Sequence, residues 1–146
     1  MLPMDASIEV PVVSTTEGMI QIGEVAERVD LSLRSVRFYE ESGLLSPEAR
    51  SSGGFRLYTE VQVERLLLIK RMKPLGFTVE QMRELLDASD VLSDPATPKV
   101  EQEAARRTIR EFAVLAAESC EELREKLAKA DEFAARLLAE ASRNPE

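Results

Sequence analysis

Two arginines three residues apart, Arg34 and Arg37, lie in the short run SLRSVRFYE, with Ser32 and Ser35 on the leading side and Phe38 and Tyr39 after them. An arginine carries a planar fork of donors that fits the O6/N7 edge of guanine and equally the oxygens of a phosphate. If the run is helical, the spacing places both guanidinium groups on one face. A second group follows in GGFRLY. Gly53 and Gly54 permit a tight turn, and Phe55, Arg56, Leu57 and Tyr58 alternate as a short strand would. This is the chemistry of gripping a nucleic acid, not of catalysis. The chain has no His, no Ser beside a base and no phosphate-cradling glycine loop, and its carboxylates lie on helix faces without an isolated pair. No catalytic residue is assigned.

The elements that must hold these residues can be read from apolar spacing. Ile22, Val25, Ala26 and Val29 follow the i, i+3, i+4, i+7 pattern of one helix face, ending by Asp30. Ser32 suits an N-cap, and the spacing predicts a second helix over about 33–41. That helix sets Leu33, Val36 and either Tyr39 or Glu40 on one side, and Arg34, Arg37 and Glu41 on another. Ser42-Gly43 ends it. Two short helices and a tight turn outline a helix-turn-helix. Turn residues follow, and Leu44-Leu45 is expected to pair with the strand at Phe55–Tyr58 as a small wing. Thr59 is expected to cap a helix from Glu60 to about Lys73, with Val61, Val63, Leu66, Leu67, Leu68 and Ile69 as its apolar positions, broken by Pro74 and Gly76. Thr78 caps a further short helix to about Asp87, with Met82, Leu85 and Leu86 inward. A Ser-, Asp- and Pro-rich linker occupies 89–98.

From Lys99 to about Ser142 there is neither Pro nor Gly, and the composition is that of one long helix. Ile109, Phe112, Ala116, Cys120, Leu123, Leu127, Ala130, Ala134 and Leu137 form a seam with a mean spacing of 3.5 residues, the heptad period of a left-handed coiled coil. The preceding domain is too small to cover such a seam. A second copy of the chain would cover it in a twofold dimer; the alternative is a helix folded back on its own domain.

The net charge of -8 seems wrong for a DNA binder, but the acid lies elsewhere. Residues 20–75 hold nine Lys and Arg against eight Asp and Glu, a balance of +1. A broad basic field is excluded, so placed arginines must carry any grip. One cysteine, Cys120, permits no disulfide within the chain. No segment reads as a secretion signal or a membrane span, and a cytoplasmic location is expected. Residues 1–18 read as a disordered leader, or as sequence ahead of a true start at Met19.

The order IGEVAERVDLSLRSVRFYEESGLL, SPEARSSGGFRLYT, LGFTVEQMRELL and then a long helix resembles the MerR family of bacterial regulators. The resemblance implies a mainly α fold: a winged helix-turn-helix DNA-binding domain over 19–88, a linker over 89–98, a dimerisation helix over 99–142 forming an antiparallel coiled coil, and a tail over 143–146. It implies a homodimer on an inverted repeat in a promoter, with the spacer DNA distorted for RNA polymerase. By resemblance, Ser32, Arg34, Ser35, Arg37, Phe38 and Tyr39 fall on the recognition helix, and Gly54, Phe55, Arg56 and Tyr58 on the wing. Phe38 stands where many members have Tyr, which removes a phosphate-binding hydroxyl.

Each of these residues also has a structural reading. Arg34 or Arg37 alone would suit a solvated helix face. Phe55 suits a core anchor of the wing, and Tyr39 and Tyr58 suit either the core or DNA. About six residues after the long helix leave no room for a drug-binding domain, and one Cys with no His argues against a soft-metal or iron–sulfur sensor. Cys120 suits a small core residue, and no cofactor is expected. The rival function is a coiled-coil interaction or adaptor protein whose helix-turn-helix has little DNA affinity.

Overall fold

A computed structural model describes residues 18–47 and 49–145, so the expected leader at 1–18 lies, but for Gly18, outside the described residues. The chain divides into two compact units, one up to Leu86 and one from Asp87. The first contains β1 (Ile20–Gln21), α1 (Ile22–Val29), α2 (Leu33–Glu41), β2 (Ala49–Arg50), β3 (Arg56–Tyr58) and α3 (Glu60–Met72), then a 3-10 turn at Lys73–Leu75. Helix α4 (Val79–Ser93) crosses the division, and α5 (Lys99–Ala141) forms most of the second unit. The expected fold class is found: a mainly helical winged helix-turn-helix followed by one long helix.

Helices α1 and α2, and the 3-10 turn that follows α3, end in the same way. Each closes on a residue with positive φ, Asp30 at 53°, Gly43 at 80° and Gly76 at 81°. The N–H one residue further on then reaches back: Leu31 to Ala26 O at 3.0 Å, Leu44 to Tyr39 O at 3.0 Å and Phe77 to Met72 O at 3.5 Å. This is the Schellman arrangement, which satisfies the orphan carbonyls of a helix end and turns the next apolar residue back onto the helix. Leu44 is buried, and Leu31 and Phe77 pack against the same core. That core gathers Val25, Ala26 and Val29 of α1, Val36 and Tyr39 of α2, and Val63, Leu66, Ile69 and Met72 of α3.

Several sequence expectations change. Leu44-Leu45 is no strand: both side chains lie in the core, because the Schellman turn at Gly43 carries Leu44 inward. The wing strand is β2, with Ala49 opposite Leu57 and Arg50 opposite Arg56. Ahead of the first helix, Ile20 and Gln21 form an unexpected strand, β1, which pairs antiparallel on the other edge of β3 with Ile20 opposite Tyr58. On α3, Val61 and Leu67 face outward, since the 3.6-residue period that buries Val63, Leu66 and Ile69 puts them on the opposite side. Thr59 occupies the N-cap of α3 but makes no side-chain cap bond. Thr78 does cap: its Oγ1 accepts from Gln81 N at 3.1 Å, while Gln81 Oε1 accepts from Thr78 N at 2.9 Å, a reciprocal capping box. Helix α4 continues to Ser93 through residues read as linker, because Val91 and Leu92 sustain the helical pattern until Asp94-Pro95 interrupts it.

Gly43 is the joint on which α2 depends. A side chain there would be held at φ 80°, which costs roughly 1–2 kcal/mol for an L-residue. Its added Cβ would meet only the Arg83 guanidinium, at an ordinary 3.6 Å. Gly43→Ala is therefore expected to lower stability by about that amount through backbone strain alone, read as a drop in the denaturant midpoint with an unchanged m-value.

Candidate nucleic-acid interface

Helix α2 starts on Ser32, whose Oγ accepts from Ser35 N at 3.0 Å, and the two serine hydroxyls are 3.0 Å apart in a hydrogen bond. Both serines therefore serve the helix start. Its other end is held from α3 and α4. Arg65 Nε donates to Leu44 O at 2.7 Å, and Arg83 donates to Ser42 O. Cations at a helix C-terminus satisfy the last carbonyls and oppose the negative end of the dipole.

With Val36 and Tyr39 buried, the outer face of α2 presents Arg34 and Arg37. Leu33, Phe38 and Glu41 join them around a shallow concavity. Phe38 is 52% exposed and stands edge-on to Tyr39, with ring centroids 5.5 Å apart. Of the two readings of Tyr39 and Tyr58, the structure takes the core reading for both. Tyr58 is fully buried and its hydroxyl donates to Glu40 Oε2 at 2.5 Å. Burial first, and then that bond to a carboxylate, push its ionisation far above the ordinary tyrosine range. Tyr39 is pushed up by burial as well. Both rings are thus buried in the free chain.

The wing turn is closed by Gly54 N to Ser51 O at 2.8 Å, and Gly54 has φ 82°. That is the three-residue hairpin loop ending in a left-handed residue. Ser51 is buried under the turn, and its Oγ accepts from Phe55 N at 3.2 Å. Phe55 is 63% exposed at the turn, which overturns its reading as a core anchor. A Cβ at Gly53 would come within 3.2 Å of the Phe55 ring, so a bare glycine lets that ring lie close to the turn.

The site also divides the cations by task. Arg28 is paired to Glu60 through two 2.7 Å bonds, which hold the Glu60 carboxyl below its ordinary range. Lys70 donates to Val29 O at 2.8 Å, and Arg50 donates across the wing to Gly54 O at 3.2 Å. The side chains of Arg34, Arg37, Arg71 and Lys73 make no hydrogen bond or ion pair to another described residue.

Sequence reading missed Glu40. It lies beneath Arg56, with Oε1 2.9 Å from Arg56 Nε, and takes the Tyr58 hydroxyl on its other oxygen. The Arg56 N–H does not point at that oxygen, so the contact is ionic and leaves a buried donor without a hydrogen-bond partner. No spacing rule joins residues 40, 56 and 58; only the wing folding over α2 does. Along α5, Phe112 is buried and Ile109, Ala116 and Cys120 are half-buried. Leu123, Leu127, Ala130, Ala134 and Leu137 are exposed. The first three steps of the seam, from Ile109 to Cys120, span 11 residues, a spacing close to the period of an unsupercoiled helix.

Tyr58→Phe keeps the buried ring and removes only the bond to Glu40. It is expected to cost about 1–3 kcal/mol, since a largely buried carboxylate loses a donor, seen as a lower thermal midpoint with the helical circular-dichroism spectrum retained.

The profile of the MerR HTH family regulatory proteins matches residues 20–89. The HTH-type transcriptional regulator ZntR of Escherichia coli K12 is 43% identical over 68 residues, covering 47% of this chain and 48% of ZntR. The chain thus spans about half the length of the curated relatives it matches. The solved transcription regulator PbrR691 of Ralstonia metallidurans CH34, in complex with lead(II), is 30% identical over 87% of this chain and 90% of its own, with a TM-score of 0.50. A MerR family regulator from Listeria monocytogenes shares the fold, with a TM-score of 0.60 at 20% identity, over 79% of this chain and 83% of that one. Profile, sequence identity and winged helix-turn-helix architecture agree, and this chain belongs to the MerR family of helix-turn-helix regulatory proteins.

Proposed function

We propose that the protein is a sequence-specific DNA-binding transcription regulator, acting as a homodimer on an inverted repeat in a promoter and distorting the spacer between the half-sites for RNA polymerase. The observation that carries this reading is the pair of outward arginines, Arg34 and Arg37, on a short helix clamped at both ends beside a wing. Arg34 and Arg37 supply contacts to base edges or phosphates, while Ser32 and Ser35 fix the helix start between them. Phe38 packs against the sugar edge, and Gly54, Phe55 and Arg56 bring the wing to the backbone. A domain of 19–88 is assigned to DNA and α5 to the dimer.

The exposed run of Leu123, Leu127 and Leu137 supports the dimer, because apolar side chains at this spacing are covered by a second helix in a coiled coil. The exposed Val114, Leu115, Phe133 and Leu138 widen that face. No metal is assigned. Soft-metal sites are built from several thiolates or imidazoles. Cys120 is the single Cys, and no group of three or more metal-ligating side chains occurs among the described residues. No helix among them is long and apolar enough to cross a membrane.

The adaptor reading is favoured by the weak charge of the DNA-facing segment, and salt separates the two. Phosphate contacts make the logarithm of affinity fall linearly with the logarithm of salt, by about 0.9 per phosphate neutralised. Arg37→Ala and Arg34→Ala are each expected to weaken binding to a selected duplex by roughly 1–3 kcal/mol if the fork reads a guanine, with the dimer intact in sedimentation. A duplex affinity that is flat with salt would favour the adaptor. Leu127→Asp places a charge on the seam and is expected to yield monomers in sedimentation and abolish protection of a paired half-site.

A further inference from the structure

The cation of the wing that faces α2 is already occupied. Arg56 lies against Glu40, yet the pair is imperfect: the ions are 2.9 Å apart while the Arg56 Nε–H points away from the nearby oxygen. Glu40 itself is not loose. Its side chain is 14% exposed, it belongs to α2, and its second oxygen is fixed by the buried Tyr58 hydroxyl. Arg56 is the freer partner, with 34% of its side chain exposed. A fixed carboxylate therefore holds a partly exposed guanidinium by charge without satisfying its Nε–H. The charge of Arg37, on α2, also reaches the Tyr58 hydroxyl.

A phosphate oxygen and a carboxylate oxygen present the same chemistry to a guanidinium. We propose that Glu40 is a positioning residue for DNA binding: it stands in for a phosphate by holding Arg56 in the free protein, and gives it up to the DNA backbone only when the wing is seated. The exchange replaces one ionic contact by another, so Arg56 adds little to binding unless the phosphate arrives in good geometry. On a wrong sequence, where the recognition helix and wing do not seat together, Arg56 stays on Glu40. Glu40 thus lowers affinity for non-cognate DNA and raises the ratio of specific to non-specific binding. With nine Lys and Arg against eight Asp and Glu over residues 20–75, the charge of Glu40 offsets a large share of a small net attraction.

This inference rests on the DNA-binding reading, and its test separates the two. A duplex enriched by the full-length wild-type protein from a random-sequence pool is compared with a scrambled duplex of the same composition. Glu40→Gln keeps an acceptor for Tyr58 and removes the charge that holds Arg56. It is expected to raise affinity for the scrambled duplex by about two- to fivefold, the worth of an exposed ion pair, and to steepen its salt slope by about 0.9, one further phosphate. Affinity for the enriched duplex should change less. In an Arg56→Gln background, the same Glu40→Gln change should produce no steepening.

Equal gains on both duplexes, or an unchanged gain without Arg56, would mean a general charge effect and overturn the proposal. If Glu40→Gln lowers the thermal midpoint too far to measure binding, the Arg56 Nε–H resonance of the wild-type protein decides. It should move on adding the enriched duplex and stay in place on adding the scrambled one, and a resonance indifferent to both overturns the proposal. Failure to enrich any duplex removes the DNA-binding reading and this inference with it.

Discussion

A helix of nine residues cannot hold itself together in water, because nucleation costs more than so few backbone bonds return. Helix α2 is such a helix, and it carries the outward-facing Arg34 and Arg37. Everything around it acts as a clamp. Ser32 closes its first turn. Gly43 allows the left-handed residue that ends it, and Leu44 is turned back under it. Arg65 and Arg83 reach from α3 and α4 to the carbonyls just past its end. Val36 and Tyr39 fasten its inner face to the core. The outer face is then rigid without any contact of its own, and Arg34 and Arg37 can project into solvent from a fixed base.

The same logic explains how a nearly neutral segment can be built to face a polyanion. Its basic residues are divided between construction and contact. Arg28, Arg65 and Lys70 bond carboxylates or helix-end carbonyls within the fold. Arg50 braces the wing turn. Arg56 is held in an unfinished pair with Glu40. A charge count cannot separate these roles, since an arginine capping a carbonyl and an arginine awaiting a phosphate count alike. Burial and hydrogen-bond geometry separate them.

The two helices of the helix-turn-helix were legible because their signals are local. The i, i+3, i+4, i+7 face of α1, the Ser32 cap and the Ser42-Gly43 stop each depend on residues within a few positions of one another. The wing was legible only in part. Its turn declared itself through Gly53-Gly54, but its partner strand did not, since Leu44-Leu45 and Ala49-Arg50 both precede the turn at plausible distances. The Schellman turn decided between them by pulling Leu44 inward. The third strand, Ile20–Gln21, is too short for any period to register.

For the site, residue type was readable and partnership was not. Sequence alone determined that Arg34 and Arg37 share a helix face, that a glycine turn follows, and that a long Pro- and Gly-free helix bears an apolar seam. These follow from backbone periodicity, which any local stretch carries within itself. Tertiary structure alone decided that Tyr39 and Tyr58 are core, that Phe55 is not, and that Glu40 on α2 meets Arg56 and Tyr58 of the wing. Those outcomes depend on which side chains of β3 and α2 meet once the domain has folded. A carboxylate 16 residues from its arginine and 18 from its tyrosine has no local sign of either.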